Sequence, residues 1–277
     1  MRNVFCVFVL IFAACKQALG QKMPEDYFQE GKALFEAKKY ESAVASFRHI
    51  VQNNPRNELF PRAVYNIGYC YFLANRSDSA TSVFKVILKS NFNERDKSGG
   101  GIMDDPYANY RHRASELLSE IYYRRKMYDT ALYYFAISDT VYPYLHFCGN
   151  EYAANDVRTA LWYSTLYQKL GFKDQAIQSL LPAVFISLAD NAKVISELKA
   201  LLRKKDGLKN ELDIALSNIY SKNIRKKDDG YKVYCFKFLN TEIAVPNGYQ
   251  DNGAVFDKQK AIEDVRKSGF YAMIVSL

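Results

Sequence analysis

The chain has 277 residues, enough for one large domain or two smaller ones, and its 25% charged and 49% hydrophobic residues exclude a largely disordered polypeptide. Its net charge of +8 suits acidic partners, but the basic residues are spread along the chain and not gathered into a stripe, which argues against nucleic acid. Aromatic content is the outlier, 22 Tyr and 18 Phe against one Trp, and such residues concentrate where helices pack and where surfaces bind.

Residues 1–20 read as a secretory signal peptide. Arg2 supplies the positive start, residues 4–15 carry no charge, and Ala18-Leu19-Gly20 offers a small-x-small cleavage site before Gln21. The uncharged run is shorter than the roughly 20 residues that span a bilayer as a helix. Phe12-Ala13-Ala14-Cys15 also resembles a bacterial lipobox, with Phe where Leu is usual, so a lipid anchor through Cys15 and a soluble mature form both stay open. Beyond this segment three cysteines remain, Cys70, Cys148 and Cys235, with no CxxC. That number and spacing predict free thiols and leave at most one disulfide.

The body of the chain is repetitive. Four alanines, Ala43, Ala80, Ala131 and Ala176, are each followed four residues later by Phe47, Phe84, Phe135 and Leu180. Twelve residues before each alanine stands a small residue (Gly31, Gly68, Ser119, Ser164), and nine before it a large one (Leu34, Tyr71, Tyr122, Tyr167). Tyr40 and Tyr128 precede the alanine by three, and Pro55 and Pro143 follow it by twelve. Two antiparallel helices that cross closely require this pattern. The small residue and the alanine let the backbones approach, large side chains fill the surrounding volume, and proline, lacking an amide donor, stops the second helix.

These offsets resemble the tetratricopeptide repeat (TPR), a 34-residue helix-turn-helix unit, of the bacterial exported type. The first unit matches most fully through Tyr27, Gly31, Tyr40, Ala43, Phe47, Ile50 and Pro55. The resemblance implies a mostly α, TPR-like helical solenoid of four antiparallel helix pairs over residues 24–185. The spacings 31 to 68, 68 to 119 and 119 to 164 exceed the repeat length, so residues are added in the loop at 56–60, around 97–106 and around 142–154. Long insertions of this kind sit at the edge of such arrays and are often where partners touch.

Residues 190–224 read as a degenerate or capping helix pair. Leu198, Leu201 and Leu202, then Leu212, Ala215, Leu216 and Ile219, keep helical spacing, the turn lies at 204–207, and the second helix is expected over 208–222. Residues 230–277 change character to a small ββαβ tail, making the C-terminal part α+β. Strands are expected at 231–238 and 242–245, the second ended by Pro246-Asn247-Gly248. A helix capped by Asp257 follows, and 270–277 is expected as a final apolar strand. At about 50 residues the tail is too small for a core of its own and is expected to pack on the last helices.

No catalytic, metal or cofactor constellation stands out. His49, His112 and His146 keep no ligand spacing, the Ser98-Gly99-Gly100-Gly101 run lacks a phosphate-loop lysine, and Asp104/Asp105 and Asp228/Asp229 read as solvated turns. The chain is therefore expected not to be an enzyme and to need no cofactor. By resemblance to TPR arrays, a partner would lie against the first helix of each pair, at Lys32, Phe35, Arg62, Tyr65, Asn66, Tyr69, Arg113, Tyr123, Arg124, Arg158, Trp162 and Lys169, with Phe28, Phe72, Glu120 and Leu161 beside them. Lys32, Asn66 and Arg113 overlap in part with the set that clamps a C-terminal carboxylate, but Phe28 stands where that set has a basic residue. The expected function is a scaffold or adaptor for a protein or peptide partner, an acidic one suiting the cations, in the periplasm or at the outer membrane of a bacterium. The alternative is a glycan-binding surface lipoprotein.

Overall fold

The computed structural model describes residues 22–95, 106–223, 232–250 and 255–277. The signal-peptide and Cys15 readings, the glycine run at 98–101 and the pairs Asp104/Asp105 and Asp228/Asp229 lie outside the described residues. Within them the fold class is the expected one: mostly α, built of TPR-like helix pairs, with a small three-stranded antiparallel sheet near the C-terminus. No described helix is long and apolar enough to cross a membrane. The described residues divide into two compact units, 22–95 with 110–121, and 106–109 with those from 122 onward.

The first unit holds α1 (Pro24–Glu36), α2 (Tyr40–Asn53), α3 (Phe60–Leu73), α4 (Ser77–Leu88) and most of α5 (Tyr110–Arg124). Gly31 of α1 lies directly against the Phe47 ring of α2: a Cβ added there would come within 2.6 Å of Phe47 Cε1. Gly68 of α3 meets Phe84 of α4 in the same way, at 2.7 Å. Phe47 and Phe84 are fully buried, as are Ala43 and Ala80 one turn before them. Burying each ring contributes about 1.5–3 kcal/mol, and neither could enter if a side chain replaced the glycine.

The second unit holds the end of α5, then α6 (Tyr128–Thr140), α7 (Gly149–Leu170) and α8 (Lys173–Leu180). A single 3-10 turn with Pro182 follows, then α9 (Ala192–Leu202) and α10 (Leu208–Ser217). The helix-to-helix turn is the same in all four pairs. Lys38, Asn75, Lys126 and Gly171 adopt left-handed φ of 58°, 58°, 59° and 81°. The next amide in each case returns to the carbonyl of the large residue nine positions before the alanine: Lys39 N to Leu34 O, Arg76 N to Tyr71 O, Met127 N to Tyr122 O and Phe172 N to Tyr167 O, at 2.8–2.9 Å. This is a Schellman closure, which satisfies carbonyls orphaned at a helix end. The carbonyls of Lys39, Arg76, Met127 and Phe172 then accept from the amides of Ala43, Ala80, Ala131 and Ala176, so the turn sets the register at which each alanine meets its partner helix.

The tail departs from expectation in three places. The second capping helix ends at Ser217, where the Asn218 side-chain amide donates to Ile214 O, and Tyr220–Asn223 is a strand, β1. It pairs antiparallel with β2 (Lys232–Phe238), Tyr220 opposite Cys235. β3 (Thr241–Gln250) pairs with β2 through a two-residue turn, Leu239-Asn240, both at positive φ, and runs through Pro246 to Gln250. The expected stop becomes a register irregularity at Val233/Cys235, with Asn247 left-handed, because the bulged strand needs no ladder donor from proline. After α11 (Lys258–Arg266), capped by Asp257 as expected, the expected last strand is a helix, α12 (Gly269–Val275). Ser268 caps it by accepting from Tyr271 N, and Phe270, Met273 and Ile274 bury one helical stripe. A short apolar run fits either structure, and here the cap decides.

The tail shares its core with the preceding helices. Phe236, Phe238, Ile243 and Phe270 form one cluster with Leu198, Leu202, Leu212 and Leu216. Asp213 of α10 ties the surface of this junction, accepting from Tyr271 at 3.0 Å and pairing with Lys209 at 2.8 Å and Arg266 at 3.5 Å.

Gly31→Ala is expected to lower stability in urea denaturation by about 1–3 kcal/mol, the usual cost of overpacking a filled core. Gly149→Ala, where nothing lies within 4 Å of the new Cβ, is expected to cost nothing measurable. Phe270→Ala is expected to cost about 3–5 kcal/mol and to melt the sheet together with α9 and α10, since they share one core; circular dichroism and near-ultraviolet melts should then coincide.

Candidate functional site

In the first unit the expected binding residues fall into two kinds. Phe35, Tyr65 and Tyr69 are half-buried and form a run of rings: Phe35 stacks on Tyr69 at 5.8 Å between centroids, and Tyr69 stacks on Tyr65 at 6.0 Å. Tyr110 of α5 extends the run at 5.8 Å from Tyr65. Sequence reasoning missed Tyr110, because it stands in the first turn of its helix, ahead of the repeat positions. Around the rings stand polar groups. Lys32 is exposed and Asn66 half-buried, and neither makes a side-chain hydrogen bond among the described residues. Arg62 lies over the Phe28 ring at 5.3 Å.

Arg113, exposed on α5, lies near enough to the Tyr65 hydroxyl to act on its charge. Burial of that hydroxyl pushes the Tyr65 pKa up to about 12, with Tyr69 and Glu116 adding to the rise and Arg113 opposing it. Tyr65 is thus a neutral donor and acceptor at any physiological pH.

Two neighbouring positions are corrected. Phe28 and Phe72 are buried at 4% and 6% exposure, not presented to a partner. Phe28 packs on Phe47 at 5.5 Å and Phe72 lies under Tyr69 at 6.2 Å, so both belong to the core that supports the exposed rings. An apolar ring at position 28 also leaves the carboxylate-clamp pattern incomplete.

In the second unit Tyr123 and Trp162 meet at 5.0 Å, and Trp162 sets its edge on Phe135 at 6.3 Å. Arg158 is exposed and donates to Asn155 at 2.6 Å. Arg124 and Lys169 are exposed on the last turns of α5 and α7. Leu161 packs on the core that the tail shares. The free thiols Cys70 and Cys235 are buried, and burial pushes the Cys70 thiol up to about 12, outside the range of a reactive thiolate.

The protein is thus a set of TPR-like helix pairs carrying half-exposed aromatic and exposed cationic side chains. No family model matches the sequence, and no curated protein matches it either. Solved structures similar to it include MamA from residue 41 onward of Desulfovibrio magneticus RS-1 (16% identity, 66% of this chain and 85% of that one, TM-score 0.47). PilF of Pseudomonas aeruginosa is similar at 15% identity over 68% of this chain and 69% of that one, with a TM-score of 0.43. TTC0263, a thermophilic TPR protein of Thermus thermophilus, is similar at 19% identity over 70% of this chain and 87% of that one, with a TM-score of 0.40. The fold class stands on the repeated glycine–ring contact and turn.

Tyr65 contributes stability that is full below the ordinary tyrosine pKa of about 10 and is lost as pH rises to about 12, because the unfolded chain releases its proton first. Stability of the wild type relative to Tyr65→Phe is therefore expected to fall across that window, and because the hydrogen bond to Glu242 also raises Tyr220 to about 12, the 295 nm titration of folded Tyr65→Phe should keep a late step near pH 12 but with one phenolate fewer than the wild type.

Proposed function

We propose that this protein is a non-catalytic TPR-type scaffold that holds a protein or peptide partner in the bacterial cell envelope. The observation that carries the reading is the run Phe35–Tyr69–Tyr65 in the first unit, rings kept half outside the core and bordered by Lys32, Asn66 and Arg113. A ring that only filled the interior would be buried, as Phe47 and Phe84 are. Half-exposed rings beside cationic and amide side chains are the chemistry of interaction hot spots. The cations favour a partner segment with acidic or carboxylate groups. In the second unit Tyr123 and Trp162 with Arg158 and Lys169 repeat the combination.

The envelope location rests on the exported character of residues 1–20. Cys15 there offers a lipid attachment point at an outer-membrane surface.

The test is photo-crosslinking from position 69 in the native host, followed by affinity measurement with the captured partner. Tyr69→Ala and Lys32→Glu are expected to weaken binding at least tenfold each, while Tyr133→Ala, whose ring is 61% exposed away from these residues in sequence and unit, should leave it unchanged. Affinity indifferent to both substitutions would remove the first unit from the binding function.

A further inference from the structure

The insertion between the third and fourth helix pairs takes no part in the repeat contacts or in the ring run of the first unit. It is a short loop between α6 and α7 whose backbone is firmly pinned. Asn109, fully buried and at φ 52°, holds Leu145 by both ends of its amide: Oδ1 accepts from Leu145 N at 2.9 Å and Nδ2 donates to Leu145 O at 2.8 Å. The next amide, His146 N, donates to the Tyr152 hydroxyl at 3.0 Å, and Cys148 N donates to His146 Nδ1 at 3.0 Å.

This anchoring does not bury the loop's apolar side chains. Val141, Leu145, Phe147 and Tyr152 stay 59%, 39%, 45% and 39% exposed. The rings are mutually ordered, Tyr144 and His146 parallel at 5.9 Å, His146 and Phe147 parallel at 5.0 Å, and Tyr144 edge-on to Tyr152 at 6.2 Å. Apolar side chains gathered at the surface and held there by a buried amide mark an interaction surface.

Charge says what it takes. Segment 141–152 contains no Lys or Arg. One turn beyond Tyr152 on the same face of α7 stands Asp156, followed on that face by Tyr163 and Tyr167. Tyr163 donates to Asp139 in the last turn of α6 at 3.2 Å, and Asp139 lies near enough to Asp156 to act on its charge. Partial burial and then Asp139 raise the Asp156 pKa, and neither carboxylate has an ion-pair partner among the described residues. Two uncompensated carboxylates on a chain of net charge +8 are a local exception. At 100° per residue this stripe lies roughly 130° around α7 from Arg158, Trp162 and Lys169, so it is a different face of the helix.

We propose that the 141–152 loop with Asp139 and Asp156 is a second docking surface in this unit, for a cationic peptide segment whose Lys or Arg side chains alternate with apolar ones. The cationic side chains lie against Asp156 and Asp139, and the apolar side chains lie on Phe147 and Tyr152. A cation over these rings gains further attraction from their faces. A partner of acidic chemistry, suited to the first unit, is repelled here.

The test uses the full chain and two fluorescein-labelled peptides of one length, Lys alternating with Leu and Phe in the first, Glu in place of Lys in the second. Fluorescence anisotropy is expected to show the Lys peptide binding at least tenfold more tightly than the Glu peptide, and more weakly at 500 mM than at 50 mM salt. The double variant Asp139→Asn with Asp156→Asn should lose at least tenfold in affinity for the Lys peptide. Its thermal melt should be unchanged or raised, because two like charges that act on one another are removed. Phe147→Ser, which leaves every backbone anchor in place, should lose several-fold. Equal binding of the two peptides would overturn the proposal, as would Lys-peptide affinity untouched by both variants. Binding of anionic lipid vesicles that Phe147→Ser abolishes, without binding of the Lys peptide, would overturn it in favour of a membrane surface.

Discussion

The structure depends on one contact, a phenylalanine ring pressed onto a helix backbone with no side chain in between. Gly31 under Phe47 and Gly68 under Phe84 bring paired helices to the distance at which the alanine one turn earlier also fits. At the matching positions of the third and fourth pairs the sequence has Ser119 and Ser164, both buried, and Phe135 and Leu180, buried as well. The contact is useful only if the two helices meet in register, and the turn enforces that. A left-handed residue closes each first helix, and the carbonyl that ends the turn receives the alanine amide of the second. Register and packing are therefore set by the same few residues, and each repeat can form from contacts close in sequence.

Once the core of each pair is filled by that ring, the remaining aromatics are surplus to packing. Tyr69 lies on buried Phe72, Phe35 and Tyr65 stack on Tyr69, and all three rings stay half-buried. The rigid helix pair is thus a mount, and the half-exposed rings with their neighbouring cations are what it presents. The tail serves a different purpose in its own unit. The apolar faces of α9 and α10 would be left open, and β2, β3 and α12 cover them with Phe236, Phe238 and Phe270. A sheet placed against the last helices satisfies the need of a repeat array for an end that tolerates water.

Much of this was legible in the sequence because the repeat is a spacing rule. Offsets of twelve, nine and four residues from each alanine locate both helices and the contact between them, and the structure places those residues accordingly. The tail was less legible because its segments are short. Residues 270–277 are apolar enough for strand or helix, and the decision lay with Ser268, whose hydroxyl caps Tyr271 N. Tyr220–Asn223 follows a helical pattern from Leu212 to Ile219, and only a partner strand brought alongside converts it. Pro246 read as a stop because a bulge that tolerates it is a tertiary event. In the candidate site, offsets located the first-helix residues but not their depth. Phe28 and Tyr65 occupy equivalent aromatic positions, three before Gly31 and Gly68, yet one is roofed by Arg62 and packed on Phe47, the other half open. Tyr110 and the pinned loop at 141–148 lie outside the repeat, where spacing has nothing to say.

The proposed function rests on the first helices of the first unit presenting a surface to a partner. Hydrogen–deuterium exchange of the full chain with and without its bound partner tests it most directly, because amides in and beside the contact are slowed wherever the surface is covered. Added protection is expected in peptides spanning Lys32–Phe35 and Tyr65–Tyr69, with α2 and α4 unchanged. Protection confined to the β2–β3 sheet and α12, with those first-helix peptides exchanging at their free rate, would contradict it.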